Sequence, residues 1–178
     1  MGQSGSSWFI LVCYTPQDGG TVLGQCNLMQ GDGTTPPVVY PAGTTTPGGT
    51  TPSGNHFVFS NSNTAAVSLA MFNSTCGIVC YSSKQSFATE DGACSLLTRT
   101  ETTLSSNTAL TNFPDEPLDN VKSSSVTSFS TGANGEPSAV ACFEQHDAGN
   151  VSCFPVQHWV STHYATDLVS GAATLCLM

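Results

Sequence analysis

The residues of this chain with the clearest potential for chemistry are its eight cysteines. An even number of cysteines beside only three Lys or Arg residues is typical of an extracellular protein stabilised by disulfide bonds. Oxidised cysteines would not act as nucleophiles, and the absence of a C-x-x-C pair disfavours a zinc site. The disulfide candidates are Cys13, Cys26, Cys76, Cys80, Cys94, Cys142, Cys153 and Cys176.

Candidate turns indicate how these cysteines pair. Gly19 and Gly20 would form the turn of one hairpin, and the polar residues 146–150 would form the loop of another. A third pair of cysteines has a similar separation along the chain. Many other connectivities are possible, so the pairing is a hypothesis. The predicted pairs are Cys13 with Cys26, Cys80 with Cys94, and Cys142 with Cys153, which leaves Cys76 and Cys176 to tie the core to the C-terminal strand.

No other residue pattern predicts catalysis. His158 and His163 would point to opposite faces of a strand, which disfavours shared metal ligation. Asp115, Glu116 and Asp119 form the densest acidic group but lack the spacing of a calcium loop. Motifs of serine hydrolases, P-loops and zinc proteases are missing from the sequence. These features favour a noncatalytic protein without a metal or other cofactor, although the paired carboxylates of a glycoside hydrolase would leave no local signature.

Two sequons and two aromatic residues suggest contact with glycans. Asn73 and Asn150 each begin an Asn-X-Ser/Thr sequon in or beside a predicted turn, where a glycan would be accessible. Trp159 and Tyr164 are candidate ligand-binding aromatics. They support an alternative in which the protein is a secreted carbohydrate-binding module or a small glycoside hydrolase.

The charge of the chain excludes several partners. A net charge of −9 without clustered Lys or Arg argues against binding to nucleic acid and to anionic membranes. The longest apolar run, at residues 8–14, is too short to span a bilayer. Met1 and Gly2 begin a pattern that fits either N-myristoylation, as in a capsid protein, or an expression scar. We therefore expect an extracellular or cell-surface location, with a virion as an alternative.

The chain divides into three regions by composition. Residues 1–30 contain a predicted β-hairpin over residues 8–29, whose register would place Leu11 opposite Leu28 and Ile10 opposite Met29. Residues 31–55 are rich in Thr, Pro and Gly, which is typical of a loop or linker. Residues 56–178 form the predicted disulfide-stabilised β-domain.

Short β-like runs recur through the third region. They predict strands at residues 56–60, 65–72, 77–82, 85–90, 93–100, 121–130, 139–143 and 151–154, with further strand pieces at 157–164 and 168–178. Glu90 to Ala93 has turn chemistry, and residues 101–135 outside the one strand are expected to be irregular. Residues 64–72 also fit a short helix, but their alternation favours a strand. The expected fold is all-β, an antiparallel sandwich or barrel-like domain with disulfide-linked hairpins and little helix.

A noncatalytic structural or adhesive subunit accounts best for these features. The hairpin is apolar on both faces, and an isolated hairpin is marginal in water, so it must dock either on its own domain or on the sheet of a neighbouring copy. Expected partners are accordingly a second copy of the chain, another surface protein or a glycan. The alternatives are the carbohydrate-binding or hydrolytic module and a viral capsid or surface domain.

Overall fold

Antiparallel strands account for nearly all of the described backbone. The computed structural model describes residues 2–4, 7–16, 22–32, 38–40, 56–60, 62–72, 74–84, 90–101, 103–107, 120–131, 136–145 and 150–155. Within these residues there is no helix, and hence none with the length and hydropathy needed to cross a membrane. The strands are β1 (Gly2–Ser4), β2 (Ser7–Tyr14), β3 (Gly24–Gly31), β4 (Val38–Tyr40), β5 (Phe57–Ser60), β6 (Asn63–Met71), β7 (Cys76–Lys84), β8 (Glu90–Thr100), β9 (Thr103–Asn107), β10 (Val121–Thr131), β11 (Glu136–Gln145) and β12 (Val151–Pro155).

The strands form three antiparallel sheets, which confirms the predicted all-β fold and is consistent with its sandwich form. Sheet A has the order β1-β2-β3-β4, and β5 pairs with β3 as well. Sheet B has the order β6-β7-β8-β9, and sheet C has the order β10-β11-β12. Neighbouring strands in sheets B and C are consecutive in sequence, which is the simplest antiparallel connection.

Sheet B lies between the other two sheets and is buried on both faces. Along β7, Ile78 and Cys80 pack in a core with sheet C, whereas Val79 and Tyr81 pack in a second core with sheet A. The alternation follows from the period of two in a β-strand. The core between sheets A and B contains Cys26, Leu28, Phe57, Phe59, Val79, Tyr81, Ala93, Leu97 and Leu104, and the core between sheets B and C contains Ala70, Cys76, Ile78, Cys80, Cys94, Leu96, Val121, Val126, Ala139, Ala141 and Phe143.

The N-terminal hairpin has the predicted register and packs within its own chain. Leu11 lies opposite Leu28 and Ile10 lies opposite Met29. On the other side of β3, Cys26 pairs with Phe57 of β5. Strands before and after residues 31–55 therefore share one sheet and one core, which is the first of the two docking arrangements left open above. The proposed boundary between arm and domain stays a prediction.

A glycine allows the hairpin to close tightly at its outer end. Trp8 lies opposite Gly31, and a Cβ built on Gly31 would approach the Trp8 ring to 2.3 Å. Any side chain at residue 31 would displace the indole, because real Cβ atoms do not approach other atoms so closely. The indole thus covers the place where a side chain is missing, as aromatic residues often do beside glycine in sheets.

Two local expectations from the sequence are wrong. Glu90 to Ala93 do not form a turn but extend β8, where Glu90 pairs with Lys84 and Ala93 pairs with Tyr81. The pairing of Cys80 with Cys94 fixes this register. The strand predicted at residues 85–90 lies outside the described residues except for Glu90. Residues 103–107, expected to be irregular, form β9 and bury Leu104 against sheet A. The predicted strand pieces at 157–164 and 168–178 lie outside the described residues.

Each sheet contains one disulfide between directly opposed residues of adjacent strands. Cys13 is bonded to Cys26 in sheet A, Cys80 to Cys94 in sheet B, and Cys142 to Cys153 in sheet C. These are the three hairpin pairs predicted from the sequence. Cys76 is also disulfide-bonded, and its predicted partner Cys176 lies outside the described residues.

Serine hydroxyls join sheet C to the edge of sheet B. Ser124 donates to the carbonyl oxygens of Ala66 and Cys80, and Ser128 donates to that of Met71 at 2.7 Å. Ala66 sits at a β-bulge with φ of 50°, which turns its carbonyl out of the β6 ladder. The hydroxyls satisfy backbone acceptors without burying a charge, which would cost far more.

A second set of hydrogen-bonded hydroxyls lies between sheets A and B. The hydroxyl of Tyr81 is 3.2 Å from that of Ser95, and the Tyr81 side chain is 4 % exposed. Burial raises the pKa of the Tyr81 phenol above its ordinary value, and hydrogen bonds with Ser95 and Ser60 oppose part of the rise. The phenol is therefore kept neutral inside the fold at pH values where an exposed tyrosine ionises.

Removing the Tyr81 hydroxyl should make the fold less sensitive to alkali. Because the folded-state pKa is raised, the contribution of Tyr81 to stability is fully present below the unfolded value of about 10 and is lost as pH rises beyond it. We expect Tyr81→Phe to cost about 1 kcal/mol near pH 8 through the lost hydrogen bond. Between about pH 8 and about pH 10.5 the free energy of unfolding, measured by urea titration, should fall less for Tyr81→Phe than for the wild type. Tyr14→Phe, which leaves Tyr81 in place, is the control, and an equal alkaline loss in Tyr81→Phe and wild type would contradict the prediction.

The hairpin disulfides of sheets B and C should differ in their rates of reduction. Cys80 and Cys94 are 0 % exposed, whereas on the outer face of sheet C Cys142 is partly exposed and Cys153 is exposed. Attack by a thiolate needs access to the sulfur, so the buried bond must wait for opening of the fold. Under mild reduction followed by alkylation, Cys142 and Cys153 should be labelled at least about tenfold faster than Cys80 and Cys94. Equal labelling rates in the native state, rather than only in urea, would refute this order.

Candidate functional site

A cavity of about 200 Å³ opens at one end of the core between sheets A and B. Its wall is mainly apolar and comes from five strands of the two sheets, β2, β3, β6, β8 and β9, and from the β6–β7 connection. Leu97 and Arg99 share the face of β8 that points towards sheet A, since side chains two residues apart lie on the same face. The lining residues are Phe9, Ile10, Leu11, Leu28, Met71, Ser74, Thr75, Leu97, Arg99 and Leu104.

Arg99 is the one cationic residue among the described residues that line the cavity, and it is held in place from several sides. Its guanidinium carbon lies 4.0 Å from the centroid of the Phe9 ring. Nε donates to the Ser74 carbonyl oxygen at 2.8 Å, and Nη1 donates to the Glu101 carbonyl oxygen at 2.7 Å. The backbone N–H of Arg99 donates to the Thr75 carbonyl oxygen. Stacking and directed hydrogen bonds together restrict the guanidinium to one orientation.

The charge of Arg99 has no carboxylate partner within the described residues. The single ion pair between described side chains joins Lys122 Nζ to Glu144 Oε1 on sheet C. Burial lowers the pKa of the Arg99 guanidinium, because desolvation disfavours its charged form. Arginine nevertheless stays protonated in proteins, so the cavity contains a fixed, partly desolvated positive charge.

Several residues singled out from the sequence lie outside the described residues. Asn73, Trp159, Tyr164 and Cys176 are among them, as are His158, His163 and the acidic group at 115–119. Of the glycosylation candidates, Asn150 is described. It is exposed at the start of β12, and its carbonyl oxygen accepts a hydrogen bond from the Gln145 N–H at 3.0 Å. In the part of the chain that the structure describes, no three His, Cys, Asp or Glu side chains come together as a metal site would require.

Nothing in the sequence patterns predicts the cavity. Arg99 stood out only as one of three cationic residues, and nothing local linked it to Phe9. One partial signal is the alternation along one strand: Ala93, Ser95 and Leu97 form a row of uncharged residues, and the charge of Arg99 continues that row. A cation at the end of such a row marks the edge of the core that the row faces.

Comparisons with family models, with curated proteins and with solved structures give no match.

The sequon at Asn150 predicts a modification that can be measured directly. On passage through a eukaryotic secretory pathway, Asn150 should carry an N-linked glycan, because it is exposed at the end of a hairpin. Asn150→Gln and Ser152→Ala should each remove one endoglycosidase-sensitive mass from the chain. Secreted wild-type protein with an unmodified Asn150 peptide would refute the expectation.

Proposed function

We propose that the protein is a noncatalytic extracellular subunit with a structural or adhesive role, which associates with further copies through its N-terminal hairpin. The observation that carries the proposal is the free edge of β2. Strand β1 pairs only with Ser7, Trp8 and Phe9, and no other described strand pairs with that edge from Ile10 to Tyr14. An edge of this kind presents unpaired N–H and C=O groups to another chain.

The side chains of this edge also suit strand addition. Residues 10–14 contain no charge and no proline, which are the usual means of protecting an edge strand. Val12, at the centre of the segment, is 41 % exposed. An antiparallel pair of β2 strands related by a two-fold axis at Val12 would place Ile10 of one copy opposite Tyr14 of the other. Such a contact is closed and self-complementary, as two-fold dimers are.

Addition at the edge is favoured over exchange of the hairpin. The inner side of the hairpin is committed to its own core through Cys26 and Leu28, both nearly inaccessible to solvent. Exchange would first have to expose that surface, whereas edge addition leaves it in place. The Cys13–Cys26 bond also keeps β2 in register with β3 and so presents a preformed template.

The cross-links of the three sheets support an extracellular role. Disulfides persist in oxidising compartments, and each native bond typically contributes about 2–4 kcal/mol. A bond in every layer would protect the subunit against unfolding outside the cell. The carbohydrate-binding alternative depends on Trp159 and Tyr164, and the capsid alternative depends on Met1 and Gly2; for both, no described contact adds support.

A charge at the free edge of β2 should weaken association. Val12→Lys would place like charges opposite each other in the symmetric pair, so we expect association at least about tenfold weaker than in the wild type. Sedimentation velocity over a range of concentrations measures the effect. Val151→Lys is the matched control, because Val151 is 62 % exposed on sheet C and the charge change is the same.

Either of two results would count against the proposal. One is a wild-type chain that remains monomeric over the whole concentration range. The other is equal association of the Val12→Lys and Val151→Lys variants, which would place the contact elsewhere. Saturable binding on a glycan array would instead favour the carbohydrate-binding alternative.

A further inference from the structure

We infer that the cavity at Arg99 is a binding site for a small carboxylate with an apolar tail of about six carbon atoms. The inference concerns a ligand site and is independent of association through β2. Three observations carry it: the apolar wall of the cavity, its size, and the fixed charge of Arg99.

The wall of the cavity fits a short apolar tail. Leu28, Leu97 and Leu104 are 1 %, 1 % and 3 % exposed, so their side chains form a dry inner end between the two sheets. Phe9 and Met71 line the same space and are only partly buried. Water makes few hydrogen bonds against such a surface, and an apolar ligand displaces it favourably.

The volume limits the ligand to a small molecule. An apolar protein cavity of about 150 Å³ binds benzene, which has six carbon atoms. The cavity here is about 200 Å³ and therefore has room for a tail of that size together with a polar head. Long-chain lipids are too large to be enclosed.

The charge and geometry of Arg99 select an anionic head. Two of its five N–H groups donate to carbonyl oxygens, and the other three have no acceptor among the described residues. Phe9 and the two carbonyls orient the guanidinium without neutralising its charge. A carboxylate is the planar acceptor that matches a guanidinium in paired hydrogen bonds.

Two polar residues hydrogen-bonded to Arg99 through their backbone carbonyls favour a polar head at this end of the cavity. Ser74 is exposed and Thr75 is partly buried, and both line the cavity next to the guanidinium. The bound molecule would therefore lie with its carboxylate at Arg99 and its tail towards Leu28.

Titration with hexanoate tests the inference on the full-length, oxidised chain. We expect saturable one-to-one binding with a dissociation constant on the order of 1 mM. The measurement is the change in the NMR chemical shifts of the Leu28, Leu97 and Leu104 methyl groups during the titration. Hexanamide, which keeps the tail and loses the charge, and acetate, which keeps the charge and loses the tail, should each bind roughly tenfold more weakly or not at all.

Variants separate the charge from the cavity. Arg99→Gln should weaken hexanoate binding roughly tenfold or more and leave hexanamide binding unchanged. Lys122→Gln removes the same charge from sheet C and should bind like the wild type. Since Arg99→Gln also loses contacts that hold the β6–β7 connection, Met71→Trp provides a second variant, which fills the cavity and should abolish binding with Arg99 intact.

The results of the hexanoate titration can be distinguished from those of the sedimentation experiment on association. Val12→Lys should bind hexanoate as the wild type does, because Phe9 and Leu11, not Val12, face the cavity. Absence of saturable hexanoate binding to the wild type would overturn the inference. Equal binding of hexanoate to the wild type and Arg99→Gln, or unchanged binding to Met71→Trp, would do so as well.

Discussion

The structure depends on burying both faces of sheet B. A strand with two buried faces has no side on which to place a charge, and from Cys76 to Tyr81 the chain of β7 is uncharged and buried throughout. Full burial of a side chain such as Ile78 or Val79 contributes about 1.5–3 kcal/mol, so the middle sheet supplies much of the driving force for folding. Sheets A and C are each needed to cover it, and the three layers therefore stabilise one another.

The same constraint accounts for the unusual composition of the chain. Only 8 % of its residues are charged. Hydroxyls form hydrogen bonds with the polar groups that lie between the layers. Ser124 and Ser128 donate to backbone carbonyls of β6, and the Ser95 hydroxyl is hydrogen-bonded to the phenol of Tyr81. A hydroxyl can donate and accept within a dry interface, whereas a buried ion would need a partner and would carry a large desolvation cost.

Sequence patterns predicted the local pairs well because cysteines and turns specify register together. Cys13, Cys26 and the glycines between them were sufficient to place Leu11 opposite Leu28. The turn expected at Glu90 to Ala93 was wrong because turn chemistry is a weak preference, and the Cys80–Cys94 pairing overrides it. Strand β9 escaped detection because Leu104 is its single apolar residue, and its pairing with β8 becomes favourable only when that leucine is buried. The alternation along β8 places Arg99 at the edge of a core, but the cavity itself could not be predicted because Phe9 and Arg99 meet only after sheets A and B have packed.

Arg99 places a fixed positive charge in the cavity of a chain whose net charge is −9. At physiological ionic strength charges are screened over about 8 Å, so distant carboxylates have little effect on an anion that has reached the cavity. The affinity of Arg99 for such an anion depends on the groups around the guanidinium. These are an aromatic ring, two carbonyl oxygens and apolar side chains. Lysine would not replace arginine here, because its ammonium group has neither the plane that stacks on Phe9 nor the fork that reaches two carbonyls and a ligand together. Position 99 therefore requires a guanidinium, because both the shape and the charge of the cation matter there. Lys122 differs, since its ammonium group forms an ion pair with Glu144 at the surface of sheet C.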